Sequence, residues 1–143
     1  MKLPIKILLL AIMAFSTVNC QCEVVAALAS YCVGKQFTLE IQRSELEATP
    51  SWEAESENAP LSARRAIKAA SVWLTRIMPD SGKWEMTEVA IQPTLVNNKW
   101  LYLVRYRAPI PPEGLKGRME VLEVVVLMNE RVVEPKIKNI SSK

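Results

Sequence analysis

The 143-residue chain contains no histidine, which excludes a His-based catalytic triad, a His-ligated zinc site and the commonest general base near neutral pH. Lysine and arginine number 18 against 15 aspartates and glutamates, and 50% of the residues are hydrophobic. That is the make-up of one domain large enough to bury a core without cross-links.

The first element is an export signal. Lys2 and Lys6 precede nine uninterrupted apolar residues, Ile7 to Phe15, and Ser16, Thr17 and Asn19 break the run. Charged, apolar, then small and polar is the order of a secretory leader, and nine residues fall far short of the roughly 20 that span a bilayer. Extending the run to Val33 would place Asn19, Gln21 and Glu23 in hydrocarbon, at a cost of about 2–3 kcal/mol for a carboxylate alone. Cleavage after Cys20 or Cys22 fits the position of the run; Ala27-Leu28-Ala29 fits the small-x-small rule but lies beyond Glu23. Taking Lys2 and Lys6 off the 18 basic residues leaves 16 against 15 acidic ones, a net of about +1. With that balance, basicity offers no support for a nucleic-acid role.

The three cysteines, Cys20, Cys22 and Cys32, cluster near the start. In an exported chain a Cys22–Cys32 disulfide could close a short loop, and the competing reading makes Cys32 a buried, apolar-like residue. Lipidation of Cys20 or Cys22 is the minority reading. Thr17 and Asn19 precede Cys20, and Asn19 and Gln21 precede Cys22, where a lipoprotein needs an apolar and a small residue.

Residues 24–33 are an apolar run that suits a short helix or a strand lead-in. Phe37 to Arg43 alternates, with Phe37, Leu39 and Ile41 on one face, as a half-buried strand does. Residues 44–60 show no periodicity. They hold Glu45, Glu47, Glu53, Glu55 and Glu57 with Pro50 and Pro60, and read as an acidic surface loop. Trp52, in the middle of this loop, is either a binding anchor or a lid folded over the edge of the core, and the lid is the favoured reading.

The one long helix is expected from Ser62, a cap residue, to Pro79. Ala63, Ala66, Ile67, Ala70, Trp73, Leu74 and Ile77 form its apolar stripe, while Arg64, Arg65, Lys68 and Arg76 fall mainly off it. Three strands should follow: Trp84–Gln92, Trp100–Arg107 and Met119–Met128. Turns are expected at Asn97-Asn98 and Asn129-Glu130, with a longer loop from Pro109 to Gly117. In the middle strand Trp100, Tyr102, Val104 and Tyr106 share the face expected to pack on the helix. Leu101, Leu103, Arg105 and Arg107 share the other, where the arginines should meet water.

The sequence shows no nucleotide-binding loop, serine elbow, CxxC pair or EF-hand loop. Glu85 with Glu88, and Glu120 with Glu123, are the carboxylate pairs an enzyme would need, but a three-residue step in a strand sets the members on opposite faces. No catalytic, metal or cofactor site is therefore assigned. Asn139-Ile-Ser141 is a glycosylation sequon.

The segments Leu61 to Ala70, Trp84 to Ile91, Lys99 to Tyr106 and Val124 to Val133 resemble a PepSY-type domain, in which an alanine-rich helix precedes an antiparallel sheet. The resemblance covers about half the chain, rests on element order, and departs from the family at Asn129-Glu130, where an Asp-x-x-x-Gly turn is common. It implies a cystatin-like α+β fold and a role outside the cytoplasm accompanying or restraining peptidases, with no catalytic residues to carry over. The expected organisation is a signal peptide over 1–20, an N-terminal strand and acidic loop over 21–60, and a PepSY-like unit over 61–143. One main helix on an antiparallel sheet of about four strands is the expected fold. The expected function is an exported, non-enzymatic binding or restraining module for a protein or peptide. The alternatives are a lipid-anchored envelope scaffold and a carboxylate enzyme on a cystatin-like sheet.

Overall fold

Two antiparallel sheets of three strands and one long helix make up the computed structural model, which describes residues 23–55, 58–110 and 119–140. The signal segment, Cys20, Cys22, any Cys22–Cys32 disulfide, Glu57, most of the Pro109 to Gly117 loop and Ser141 of the sequon lie outside the described residues. The α+β class holds, but a single sheet of about four strands does not. The first sheet has the order β1 (Val24–Cys32), β2 (Lys35–Gln42), β6 (Lys136–Asn139); the second is β3 (Glu85–Pro93), β4 (Trp100–Arg107), β5 (Val121–Leu127). The physical reason is that β4 is apolar on both faces along half its length. The helix can cover only one of them, and the first sheet covers the other.

In the first sheet the apolar run at 24–33 resolves as a strand. β1 pairs with β2 from Val24–Gln42 to Cys32–Lys35 around a tight turn in which Val33 (φ 52°) and Gly34 (φ 68°) are both left-handed. Glycine adopts that conformation freely and a β-branched valine does not. Glu120 supports the turn, its Oε2 accepting the Val33 amide at 2.8 Å. Phe37, Leu39 and Ile41 are buried, as the alternation of β2 requires. A short helix, α1 (Arg43–Glu47), follows where a plain loop was expected. It is anchored by buried Leu46, by the Gln42 amide on Glu45 Oε2 (2.9 Å), and by Lys99 Nζ on the Thr49 carbonyl (2.5 Å).

The long helix, α2 (Ala63–Ile77), starts where Ser62 caps it, the Arg65 amide donating to Ser62 Oγ at 3.4 Å. Ala66, Ala70, Trp73 and Leu74 are buried and Ile67 and Ile77 half-buried, while Ala63 stays exposed at the first turn. The small alanines let α2 lie on β4 and β5, where Tyr102, Val104, Tyr106, Leu122, Val124 and Val126 complete one core cluster. Tyr102 donates its hydroxyl to the Leu61 carbonyl at 2.7 Å, and Tyr106 shares a hydrogen bond with Ser71 at 3.0 Å. Arg65 of α2 pairs with Glu130, in the turn after β5, and Arg76 with Glu134 beyond it.

Leu101 and Leu103 do not share the solvated face of Arg105 and Arg107 along its whole length. They are buried with Leu39, Ile41, Leu46, Val125, Leu127 and Val133 in a second cluster. The Asn97-Asn98 and Asn129-Glu130 turns form as expected, with Asn98 (φ 56°) and Glu130 (φ 68°) left-handed. After the second turn the chain makes one bridge, Val132 to Val126, and leaves as β6 to pair with β2 from Lys35–Asn139 to Thr38–Lys136. The N-terminal strands and the last strand therefore close one sheet together.

Candidate functional site

β3 is an outer strand of the second sheet, and its environment sets it apart. It runs for nine residues, none of them buried; only Val89 and Ala90 are half-buried. One edge is hydrogen-bonded to β4, and among the described residues no strand pairs with the other.

Its register defines what that open edge presents. From Glu88–Arg105 to Pro93–Trp100 the pairing is regular, and a bulge between Met86 and Glu88 shifts it by one so that Glu85 faces Arg107. The Thr94 amide donates to the Lys99 carbonyl at 3.0 Å, so Thr94 and Lys99 form a hydrogen-bonded pair that continues the register. Hydrogen-bonded and non-hydrogen-bonded pairs alternate in an antiparallel ladder. Gln92 and Ala90 consequently turn their backbone groups toward β4, whereas Pro93, Ile91 and Val89 turn theirs outward. Proline at an outward position removes no ladder bond, which is where an edge strand tolerates it.

The two faces of β3 differ. On the α2 side the sheet carries three apolar rows across its strands: Leu122–Tyr106–Met86, Val124–Val104–Val89 and Val126–Tyr102–Ile91. Each row is buried at β5 and β4 and ends at β3, where Met86 is 41% and Ile91 37% exposed. On the opposite side the row Glu123–Arg105–Glu88 alternates in sign, with Arg105 Nε on Glu123 at 2.9 Å and Nη1 on Glu88 at 2.5 Å; Arg107 pairs with Glu85. The two carboxylates hold the Arg105 guanidinium firmly charged, Glu123 contributing most.

The expectation that Glu85 and Glu88 lie on opposite faces is overturned by the bulge, whose extra residue returns Glu88 to the face of Glu85. Both are engaged with arginines. Glu120 and Glu123 border a cavity of about 570 Å³ with Ser30, Tyr31, Met119 and Val121, because Glu120 precedes the start of β5. Glu120 accepts the Val33 amide and Glu123 the Arg105 guanidinium. A second groove of about 520 Å³ lies between α2 and residues 130–134, floored by Ala69, Val72, Trp73 and Val132. Burial raises the Glu134 carboxyl there, but the Trp73 indole (2.9 Å) and Arg76 outweigh it and hold the group below its ordinary range.

Trp52 is a lid. Its ring stands edge-on to Trp100 with centroids 5.0 Å apart, and its carbonyl accepts the Trp100 indole at 3.0 Å. Cys32 is buried at 2% exposure, and burial, then the charge of Glu120, pushes its thiol up to about 12. Among the described residues no group of three or more acidic or cysteine side chains is placed to hold a metal ion, and no helix is long and apolar enough to cross a membrane. Compared with protein-family models, curated proteins and solved structures, the chain matches none.

Sequence reasoning located β3 but not its open edge. The signal was present in Pro93 and in the mixed composition of residues 85–92, too polar for a strand covered on both sides.

Proposed function

We propose that the chain is an exported, non-enzymatic binding module that takes an extended segment of a protein or peptide along the free edge of β3. The observation that carries this reading is a nine-residue strand with no buried residue and one edge that no strand pairs among the described residues. Such an edge is a template for strand addition, in which main-chain hydrogen bonds supply affinity. Natural edges are protected by charge, proline and bulges. β3 has these devices at its ends, with Glu85, Glu88 and the bulge at one and Pro93 at the other. The central stretch, Val89 to Gln92, carries none.

Export is supported by Lys2, Lys6 and the Ile7 to Phe15 run. The order of one alanine-rich helix followed by three antiparallel strands supports a PepSY-like, cystatin-like reading, and with it a partner among peptidases or their substrates. Glu85, Glu88 and Glu123 pair with arginines and Glu120 accepts the Val33 amide, which favours binding over a carboxylate enzyme.

A photo-crosslinker placed at Gln92 tests the reading. A saturable adduct with one partner from the exported fraction is expected, absent when the crosslinker sits at Tyr31 on the far sheet. Equal adducts from both positions would contradict docking at β3.

A further inference from the structure

Beyond the existence of an open edge, the cross-strand rows specify the strand that fits it. Side chains directly opposite each other across neighbouring strands interact, and like charges so placed repel. Each row of the second sheet is therefore an incomplete series whose next member can be read from those already present.

The row Glu123–Arg105–Glu88 runs negative, positive, negative. Arg105 is shared by both carboxylates, and among the described residues three carboxylates on this face (Glu85, Glu88 and Glu123) face two guanidiniums (Arg105 and Arg107). The last member, Glu88, is 47% exposed and leaves a surplus of negative charge at the rim. A cation is the group that continues this row. The flanking rows on the other face end in Val89 and in Ile91, which is 37% exposed. Apolar side chains continue those rows and cover the shelf that α2, lying over β4 and β5, leaves bare. Between them, Ala90 and Gln92 on the acidic side present a small and a neutral polar group, which accept small or polar partners.

We infer that the β3 edge selects an extended, alternating segment: apolar residues opposite Val89 and Ile91, and lysine or arginine opposite Glu88. The inference rests on the reading of β3 as a docking edge and adds a charge register to it. The backbone groups of Val89 and Ile91 supply the hydrogen bonds, and Glu88 decides between basic and acidic strands. The pattern has a period of two, so it holds for parallel and antiparallel addition alike.

Two synthetic ten-residue peptides test it, both alternating valine with polar residues, one carrying lysines and the other glutamates at the same positions. Binding to the full chain is followed by fluorescence anisotropy at low salt. The lysine peptide should bind roughly tenfold more tightly than the glutamate peptide, and the difference should shrink as salt screens the partly exposed pair. Glu88→Lys should reverse the preference; its folding is checked by circular dichroism, since Arg105 retains Glu123. Ile91→Pro, which removes an outward amide and no ladder bond, should abolish both interactions. Equal binding of the two peptides, abolished by Ile91→Pro, would overturn the charge register and leave the edge reading standing. Binding that survives Ile91→Pro, or no binding of either peptide, would overturn the register and remove β3 as the docking edge.

Discussion

β3 and β4 lie side by side in one sheet, matched from Glu85–Arg107 to Pro93–Trp100, yet occupy opposite environments. In β4, Leu101, Tyr102, Leu103, Val104 and Tyr106 are all buried, while β3 has no buried residue. The two strands share a backbone ladder and differ in what covers them. α2 lies on one face of β4 and the first sheet on the other, and at β3 the cover thins to Val89, half-buried against the α2 cluster, and Ala90. Burial in this molecule is set by the footprint of the neighbouring layers. The strand beyond that footprint keeps a polar, alternating sequence and an edge that no strand pairs among the described residues.

Substitutions in the two strands should therefore differ widely in cost. The largest effect is expected from Tyr102→Ala, which empties a fully enclosed site and leaves the Leu61 carbonyl without its donor. The loss should be about 3–5 kcal/mol. Its row partner in β3, Ile91→Ala, should cost less than about 1 kcal/mol by urea denaturation. Comparable losses at the two positions would break the contrast. Leu103→Ala sharpens it on the other face. If the first sheet covers β4, the loss is about 2–5 kcal/mol, and if that face were open it would be that of a surface change.

Alkaline pH separates the buried and open regions in a different way. Burial raises the hydroxyls of Tyr102 and Tyr106, the latter partly offset by Ser71, and raises the Cys32 thiol from 9.0 to about 12. Each of these groups holds its proton more tightly in the folded chain than in the unfolded one. Their contribution is therefore complete below the unfolded values and is lost as pH rises through the folded ones. For Cys32 the window opens near pH 9 and closes near pH 12. The urea midpoint should fall over that range, and Cys32→Ala should remove the portion of the fall that begins near pH 9, below the tyrosine range. The smallest effect is expected from Glu88→Gln at the open edge, about 0.2–1 kcal/mol and salt-sensitive, because the pair with Arg105 is partly exposed.

Much of this contrast was legible in the residues. The alternation of β2, the stripe of α2, the aromatic face of β4 and both asparagine-marked turns each depend on local chemistry, and each formed where expected. What could not be read depends on distant chain. β6 is four exposed residues, Lys136 to Asn139, with no apolar period, and its partner β2 lies at the other end of the sequence. α1 is a single turn, too short to show helical spacing, and exists because Leu46 is buried and Lys99 clamps its end. The burial of Leu101 and Leu103 follows from the position of the first sheet, which nothing within β4 reveals. One inserted residue near Met86 put Glu85 and Glu88 on the same face, against the simple period of two.

Hydrogen exchange resolved at single amides tests the central claim most directly. In the free protein the Val89 and Ile91 amides should exchange rapidly, while those of Ala90 and Gln92, directed at β4, are protected. Adding the alternating lysine peptide should slow Val89 and Ile91 selectively. Protection of Val89 and Ile91 in the free chain, or rapid exchange that persists in the complex, would contradict an open β3 edge that docks a strand.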